Sequence, residues 1–122
     1  MKYQYDRAFK IKLFDDMWEC YIVTEEEALE LDDQLNDSDD GFRALTVAGI
    51  RCLFIHEEHV TIDIVTHELI HIFYLTQRID SANLNLDQQE EIFAELFEHG
   101  FDKFSKTRKR LYKKFAKLQG ES

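Results

Sequence analysis

The stretch Thr66-His67-Glu68-Leu69-Ile70-His71 lies within residues 60–77, a run that contains neither glycine nor proline. Such a run predicts a helix, and residues four apart on a helix lie on one face. His67 and His71 can therefore offer two imidazole nitrogens to one cation, and Glu68 borders the same site. Neutral imidazoles suit Zn²⁺, and a nearby carboxylate can take a proton from a water molecule that the metal activates. The pattern predicts His67 and His71 as zinc ligands and Glu68 as the general base.

The residues around this motif favour a folded setting for it. Residues 49–55, Gly-Ile-Arg-Cys-Leu-Phe-Ile, are typical of a buried strand that precedes the helix. The helix also carries a separate apolar stripe, which can face a core while the two histidines and Glu68 face a cleft. This apolar stripe consists of Ile62, Val65, Leu69, Ile72 and Phe73. The alternative is an ordinary amphipathic helix whose two histidines lie on the surface or in the core.

A strand, an H-E-x-x-H helix and a later acidic helix together resemble the zincin-type metallopeptidases, over about residues 44–100. In gluzincin-like members a glutamate follows the motif after nineteen intervening residues, and here Glu91 has that position, in Glu91-Ile92-Phe93-Ala94-Glu95. The resemblance implies that Glu91 is the third zinc ligand and that Glu95 hydrogen-bonds a ligating imidazole. In size the chain is similar to small intracellular or phage-borne zincins, including the ImmA/IrrE-type peptidases.

The third ligand has alternatives. Two histidines alone would hold the metal weakly, because a catalytic zinc site takes three protein ligands and keeps one open position. Glu91 and Glu95 could instead be part of a solvated acidic face, which is common on helices. The further candidates for the third ligand are Glu90, Glu95, Glu98 and His99. A site with His99 would be of a three-histidine type.

The resemblance also implies a reaction, the hydrolysis of a peptide bond in a cytoplasmic protein. Glu68 would accept a proton from the attacking water and return it to the leaving amine. The strand at Ile50–Ile55 would be a sheet edge that holds an extended substrate by β-addition. Candidates for a further oxyanion donor are Tyr74, His56 and His99. His56 and His59 are otherwise interpreted as linker residues beside the cleft. The chain lacks the extended H-E-x-x-H-x-x-G-x-x-H pattern, which excludes a metzincin.

The remaining patterns predict a single α+β domain, a minimal zincin-like unit that covers residues 1–122. Residues 9–13 and 17–23 are typical of strands that pair as a hairpin, and residues 42–47 and 50–55 of two further strands. Thr24 and Glu27 form a capping box that opens a helix. We expect a small mixed or antiparallel sheet of about four strands packed on the motif helix. Two C-terminal helices would follow, separated at Gly100.

Composition indicates a protein of a reducing compartment. The chain is 44% hydrophobic and has two cysteines, Cys20 and Cys52, which are expected to be free and buried; a disulfide or a ligand role is the alternative. The first residues lack the apolar run of a signal peptide, and no stretch has the roughly 20 apolar residues of a membrane span. We therefore expect a cytoplasmic location and no contact with a membrane.

Charge is distributed unevenly along a chain whose net charge is -10. Residues 101–122, a predicted basic helical segment, hold eight basic and two acidic side chains, a net charge of +6. The first 100 residues hold seven basic and 23 acidic side chains, a net charge of -16. The acidic part disfavours nucleic acid, so nucleic acid is expected as a partner only through the basic segment. That segment could equally be a solvated face or pair with the acidic part. A binding protein with a zincin fold and no catalysis is the second functional hypothesis.

Overall fold

The computed structural model describes residues 1–36, 41–76 and 85–120. Its centre is a sheet of four strands: β1 (Ala8–Leu13), β2 (Asp16–Val23), β3 (Ala44–Val47) and β4 (Cys52–His56). The strands lie in the order β1-β2-β4-β3. The outer strands pair antiparallel with their neighbours, whereas the central strands β2 and β4 run parallel. The sheet is therefore mixed, and the predicted α+β fold class is confirmed.

The β1–β2 hairpin forms as the sequence predicts. In β1 the lysines are exposed, whereas Ile11 and Leu13 are buried. Pairing of Leu13 with Asp16 closes a two-residue turn in which Phe14 has a left-handed φ of 59°. That conformation costs a residue other than glycine roughly 1–2 kcal/mol. The Phe14 side chain is 8% exposed, and its burial offsets this cost.

In the described ranges, three helices cover the two faces of the sheet: α1 (Glu25–Asn36), α2 (Ile62–Thr76) and α3 (Leu86–Gly120). Successive residues of a strand point to opposite faces, and the two central strands therefore supply two separate cores. Tyr21 and Phe54 belong to the core on the α1 side. Ile22 and Leu53 belong to the core on the side of α2 and α3. The motif helix α2 thus packs on the sheet through one of these two cores.

The capping box predicted for α1 is present. The Thr24 hydroxyl oxygen accepts a hydrogen bond from the Glu27 backbone N–H at 3.2 Å. In return, the Glu27 carboxylate accepts one from the Thr24 backbone N–H at 2.9 Å. An N-terminal cap of this kind stabilises a helix by about 1 kcal/mol, because it satisfies backbone donors that the helix leaves unpaired.

The C-terminal portion is one helix of 35 residues, so the prediction of two helices separated at Gly100 is wrong. A Cβ placed on Gly100 would lie 3.6 Å from the Phe73 ring, an ordinary van der Waals distance, so Gly100 lies on the side of α3 that faces α2. A helix tolerates an interior glycine at a cost of only about 1 kcal/mol, which packing against α2 offsets. The helix begins with reciprocal hydrogen bonds between Asn85 and Gln88, at 2.8 and 3.1 Å.

The edge strand next to α2 differs from the one predicted. The strand at Ile50–Ile55 was expected at the edge, but β4 lies between β2 and β3 and is buried along its whole length. The reason is the parallel pairing of β2 with β4, which leaves only the outer side of β4 for β3. The connection from β3 to β4 is a short 3₁₀ turn, Ala48–Ile50. The edges of the sheet are therefore β1 and β3.

Cys20 and Cys52 are free and buried, as predicted. They belong to the cores on opposite faces of the sheet, which keeps their sulfur atoms from pairing. Burial raises the pKa of the Cys52 thiol to about 11, and that of Cys20 further. Within the described ranges, no helix combines the length and the apolar character that crossing a bilayer requires.

Candidate metal centre

The two faces of α2 place its apolar and polar residues as the sequence pattern predicts. Val65, Leu69 and Ile72 are fully buried against the sheet. His67 and His71 are exposed, and the His67 side chain is 68% accessible. Glu68 is adjacent to His67 in the chain but lies on the buried border of the helix, with 7% of its surface exposed. The helix thus holds two accessible imidazoles beside a sheltered carboxylate.

The two imidazoles converge on one point. Their Nε2 atoms lie 3.2 Å apart. Two nitrogens that each lie about 2.0–2.1 Å from a tetrahedral zinc ion are separated by roughly 3.3 Å. The spacing therefore fits a single zinc ion, and the four-residue separation on the helix is its cause. The ligand atoms of His67, Glu68 and His71 all lie within 4.8 Å of one another.

Glu68 is held in place from both sides of the helix–sheet interface. One carboxylate oxygen, Oε2, lies 3.8 Å from Nε2 of His67. The other, Oε1, accepts a hydrogen bond from the Thr46 hydroxyl at 2.8 Å. Because one oxygen is occupied by Thr46, the other is left to face the imidazoles. The carboxylate thus has one oxygen fixed by Thr46 and one oxygen on the side of the imidazoles.

Thr46 is a site residue that the sequence reasoning missed. It lies in the edge strand β3, where it pairs with Leu53 of β4. Since directly paired residues share a face, Thr46 points to the core side of Leu53, where α2 packs. The sequence does show Thr46 as a polar residue within the short apolar strand β3. This observation could not be used, because nothing in the sequence shows that β3, rather than β4, is the edge strand beside α2.

The structure does not bring Glu91 and Glu95 to the two histidines. The α3 residues that contact Phe73 or Tyr74 of α2 are Gln89, Phe93, Phe97, Gly100 and Phe104. Glu91 and Glu95 each lie two residues from members of this set. Two residues correspond to about 200° of rotation on a helix, so both carboxylates lie on the side of α3 that faces away from α2. Both are exposed.

The other candidates for the third ligand are also exposed on α3, and within the part of the chain that the structure describes none joins the group around His67. These candidates are Glu90, Glu98 and His99. The physical reason is that aromatic packing, and not the acidic residues, sets the rotation of α3 against α2. A third ligand for zinc is therefore not among the residues that this arrangement brings together, and Glu91 stays a prediction.

The candidate oxyanion donors lie in different places. Tyr74 is one helical turn beyond His71 on α2, and its hydroxyl donates to Gln89 at 2.8 Å. His56 lies on the other side of the sheet, in a groove beside α1. His99 lies on the exposed side of α3. Of the three residues, only Tyr74 shares a helix with the motif.

A second group with metal-ligand spacing consists of His56, Glu58 and His59. Its chemistry fits a metal less well. Nδ1 of His56 accepts a hydrogen bond from the Glu58 backbone N–H at 3.0 Å. An imidazole that accepts at one nitrogen carries its proton on the other, so this ring has no free nitrogen for an ion. His59 lies in the link between β4 and α2, as predicted, whereas His56 is the last residue of β4 and not a linker residue.

Comparisons with models of protein families, with curated proteins and with solved structures find no match for this chain.

Proposed function

We infer that this chain is a zinc-dependent metallopeptidase that hydrolyses a peptide bond in a cytoplasmic protein. One observation carries the proposal. Two Nε2 atoms lie 3.2 Å apart on one turn of α2, and a carboxylate held by Thr46 lies beside them. Paired imidazoles without an adjacent fixed carboxylate would hold an ion but offer no group to accept a proton beside it. A carboxylate with one bound oxygen and one free oxygen suits proton transfer next to an ion.

The residues of the chain divide the proposed reaction between them. A zinc ion bound to His67 and His71 would supply Lewis acidity toward a water molecule and a substrate carbonyl. Glu68 accepts the proton of the attacking water at Oε2 and returns it to the leaving amine. The Thr46 hydroxyl keeps the carboxylate in one rotamer during both transfers. Burial of Glu68 limits competing water, which strengthens these interactions.

The position of β3 supports a peptide as the substrate. Among the residues that the structure describes, no strand pairs with the outer side of β3, which is the end of the sheet. It carries Thr46, whose hydroxyl reaches Glu68. An extended peptide that adds to this edge would pass beside the proposed base, and main-chain hydrogen bonds would hold it. From the sequence, β4 was expected to be the edge strand that binds an extended substrate. We propose instead that β3 binds it.

The experiment is to measure zinc and cleavage together in the wild type and in Glu68→Gln. Zinc is measured by equilibrium dialysis against a buffer that contains zinc, because two imidazoles alone hold the ion weakly. Cleavage is measured by mass spectrometry of a mixture of proteome-derived peptides. We expect the wild type to bind about one equivalent of zinc. Glu68→Gln should keep the zinc and lose cleavage by about 10²–10⁴-fold, since it removes the base but keeps the shape.

Glu30→Gln is the matched control, because Glu30 is exposed on α1, which packs on the opposite face of the sheet from α2. It should change neither zinc content nor cleavage. Equal cleavage by the wild type and Glu68→Gln would rule out Glu68 as the base. A wild type that binds no zinc would overturn the proposal as a whole.

A binding protein that keeps zinc but does not cleave is the second candidate function. The observation that favours it is the ligand set, because the structure brings only two imidazoles and Glu68 together. A site of this kind could hold a partner without turnover. Zinc binding by the wild type with no cleavage of any peptide in the mixture would select this function.

A further inference from the structure

The C-terminal half of α3 carries a line of cations that the peptidase proposal does not use. We define the basic stripe as Lys103, Lys106, Arg110, Lys113 and Lys117. These residues follow one another at steps of three and four, which places them on one face of the helix. From the first to the last, the stripe extends over about 21 Å at 1.5 Å per residue. All five side chains are exposed.

The basic stripe is uninterrupted by negative charge. From Lys103 to Gly120, α3 has no aspartate or glutamate. The ion pairs among the described residues link Arg7 with Glu57 and Arg51 with Asp16, together with a histidine contact of Glu68. None of them involves the stripe. In the described ranges, therefore, no carboxylate forms an ion pair with these cations, although Asp15 and Asp102 lie in a groove beside three of them.

The stripe lies next to the other edge of the sheet. Arg110 donates a hydrogen bond to the backbone carbonyl of Lys12 in β1. Lys12, Lys103, Lys106 and Arg110 line a groove of about 670 Å³, with Asp15 and Asp102 also in its lining. The contact with β1 fixes the rotation of the helix, so the lysines keep their outward direction. The positive surface is thus supported by the core and not carried by a free tail.

We propose that the basic stripe binds the phosphate backbone of a nucleic acid, without reading its sequence. A line of like charges about 21 Å long matches a linear polyanion, since duplex DNA carries a phosphate charge every 1.7 Å or so along its axis. Four of the five cations are lysines, which act as point charges toward phosphate and give little base specificity. The net charge of -10 does not prevent this, because charges more than about 8–10 Å away are screened at physiological salt.

A membrane surface fits the stripe less well. A helix that lies in a lipid interface buries large apolar residues beside its cations. The exposed apolar residues of α3 are Leu86, Ile92 and Phe101, all N-terminal to the stripe. Of the large apolar residues of the C-terminal half, Phe104, Leu111 and Phe115 are buried in the core, and Tyr112 and Leu118 are half-buried against it. The stripe therefore offers charge without an apolar anchor.

The test is the fluorescence anisotropy of a labelled DNA duplex titrated with the full chain, between about 50 and 200 mM salt. The variant is Lys113→Glu with Lys117→Glu. The matched control is Lys10→Glu with Arg43→Glu, two exposed residues elsewhere that give the same change in net charge. We expect the stripe variant to weaken binding at least tenfold at about 50 mM salt and to reduce the salt slope by about 2. The control should keep the slope.

Three outcomes would overturn the proposal. The first is an absence of DNA binding by the wild type at low salt, and the second is an equal loss in the stripe variant and the control. The third is a stripe-dependent preference for another polyanion: a second copy of the chain, seen as a dimer in sedimentation, or vesicles of phosphatidylserine. Glu68→Gln should leave DNA binding unchanged, so failure of the peptidase proposal is distinguishable from failure of this one.

Discussion

The helices α2 and α3 pack on the same face of the sheet, but they hold their polar residues in different ways. In α2, Glu68 is buried and tied to Thr46, and the two imidazoles meet above it. In α3, the charged residues 90, 91, 95, 98, 103, 106, 113 and 117 are all exposed. The difference between a buried, hydrogen-bonded carboxylate and a row of exposed charges suggests two different functions for charged residues. A fixed, sheltered group can serve chemistry at one atom, whereas a row of free groups can serve long-range attraction.

The largest expected effect comes from removing one imidazole of the pair. We predict that His71→Ala weakens zinc binding by more than about 100-fold, because even partners outside the ligand shell cost 10–100-fold. His99→Ala, an exposed histidine of α3, is the control and should bind zinc as the wild type does. The measurement is competition for zinc with a chromophoric chelator. Equal affinity of His71→Ala and the wild type would place the ion elsewhere.

An intermediate effect is expected at the hydrogen bond that ties Glu68 to the sheet. We predict that Thr46→Val lowers kcat about 10–100-fold with little change in zinc affinity, because it removes the donor but keeps the branched shape. Thr46→Ser restores the hydroxyl and should recover most of the activity. The measurement is a steady-state assay on a peptide that the wild type cleaves. A loss that serine does not rescue would show that Thr46 acts through packing alone.

The smallest effect is expected on α3, where the sequence placed the third ligand. If the helix keeps its rotation, Glu91→Ala should keep zinc affinity within about twofold of the wild type, since the carboxylate faces away from the histidines. Glu90→Ala is the neighbouring control. The same chelator competition applies. A loss comparable with that of His71→Ala would establish Glu91 as a ligand and show that α3 turns when zinc binds.

The sequence predicted most of the fold from local patterns. The β1–β2 hairpin, the Thr24–Glu27 capping box and the face of α2 all follow from alternation or helical spacing within one element. The same holds for the His67–His71 pair, because a single helix fixes the geometry of residues four apart. Local spacing is sufficient where one segment of backbone carries all the residues concerned.

Relations between elements were predicted less well. The edge strand was assigned to β4 instead of β3, because strand order depends on the parallel pairing of β2 with β4. Gly100 was taken as a helix break, because its contact with Phe73 lies between distant parts of the chain. The spacing from His71 to Glu91 gives a distance along the chain but not the rotation of α3. That rotation follows from the packing of aromatic rings between α2 and α3, which depends on residues outside the motif.

The continuity of α3 past Gly100 ties its two ends together mechanically. Because α3 is one continuous helix, a rotation about its axis at one end also rotates the other end. Swinging Glu91 toward the imidazoles would carry Phe104, Leu111 and Phe115 out of the hydrocarbon interior by the same angle. A ligand that holds the C-terminal half of α3 in place would in turn limit the rotation of its N-terminal half. A rotation of α3 on zinc binding would then also change the direction of the basic stripe, whereas Glu68→Gln, which does not alter α3, would leave the stripe as it is.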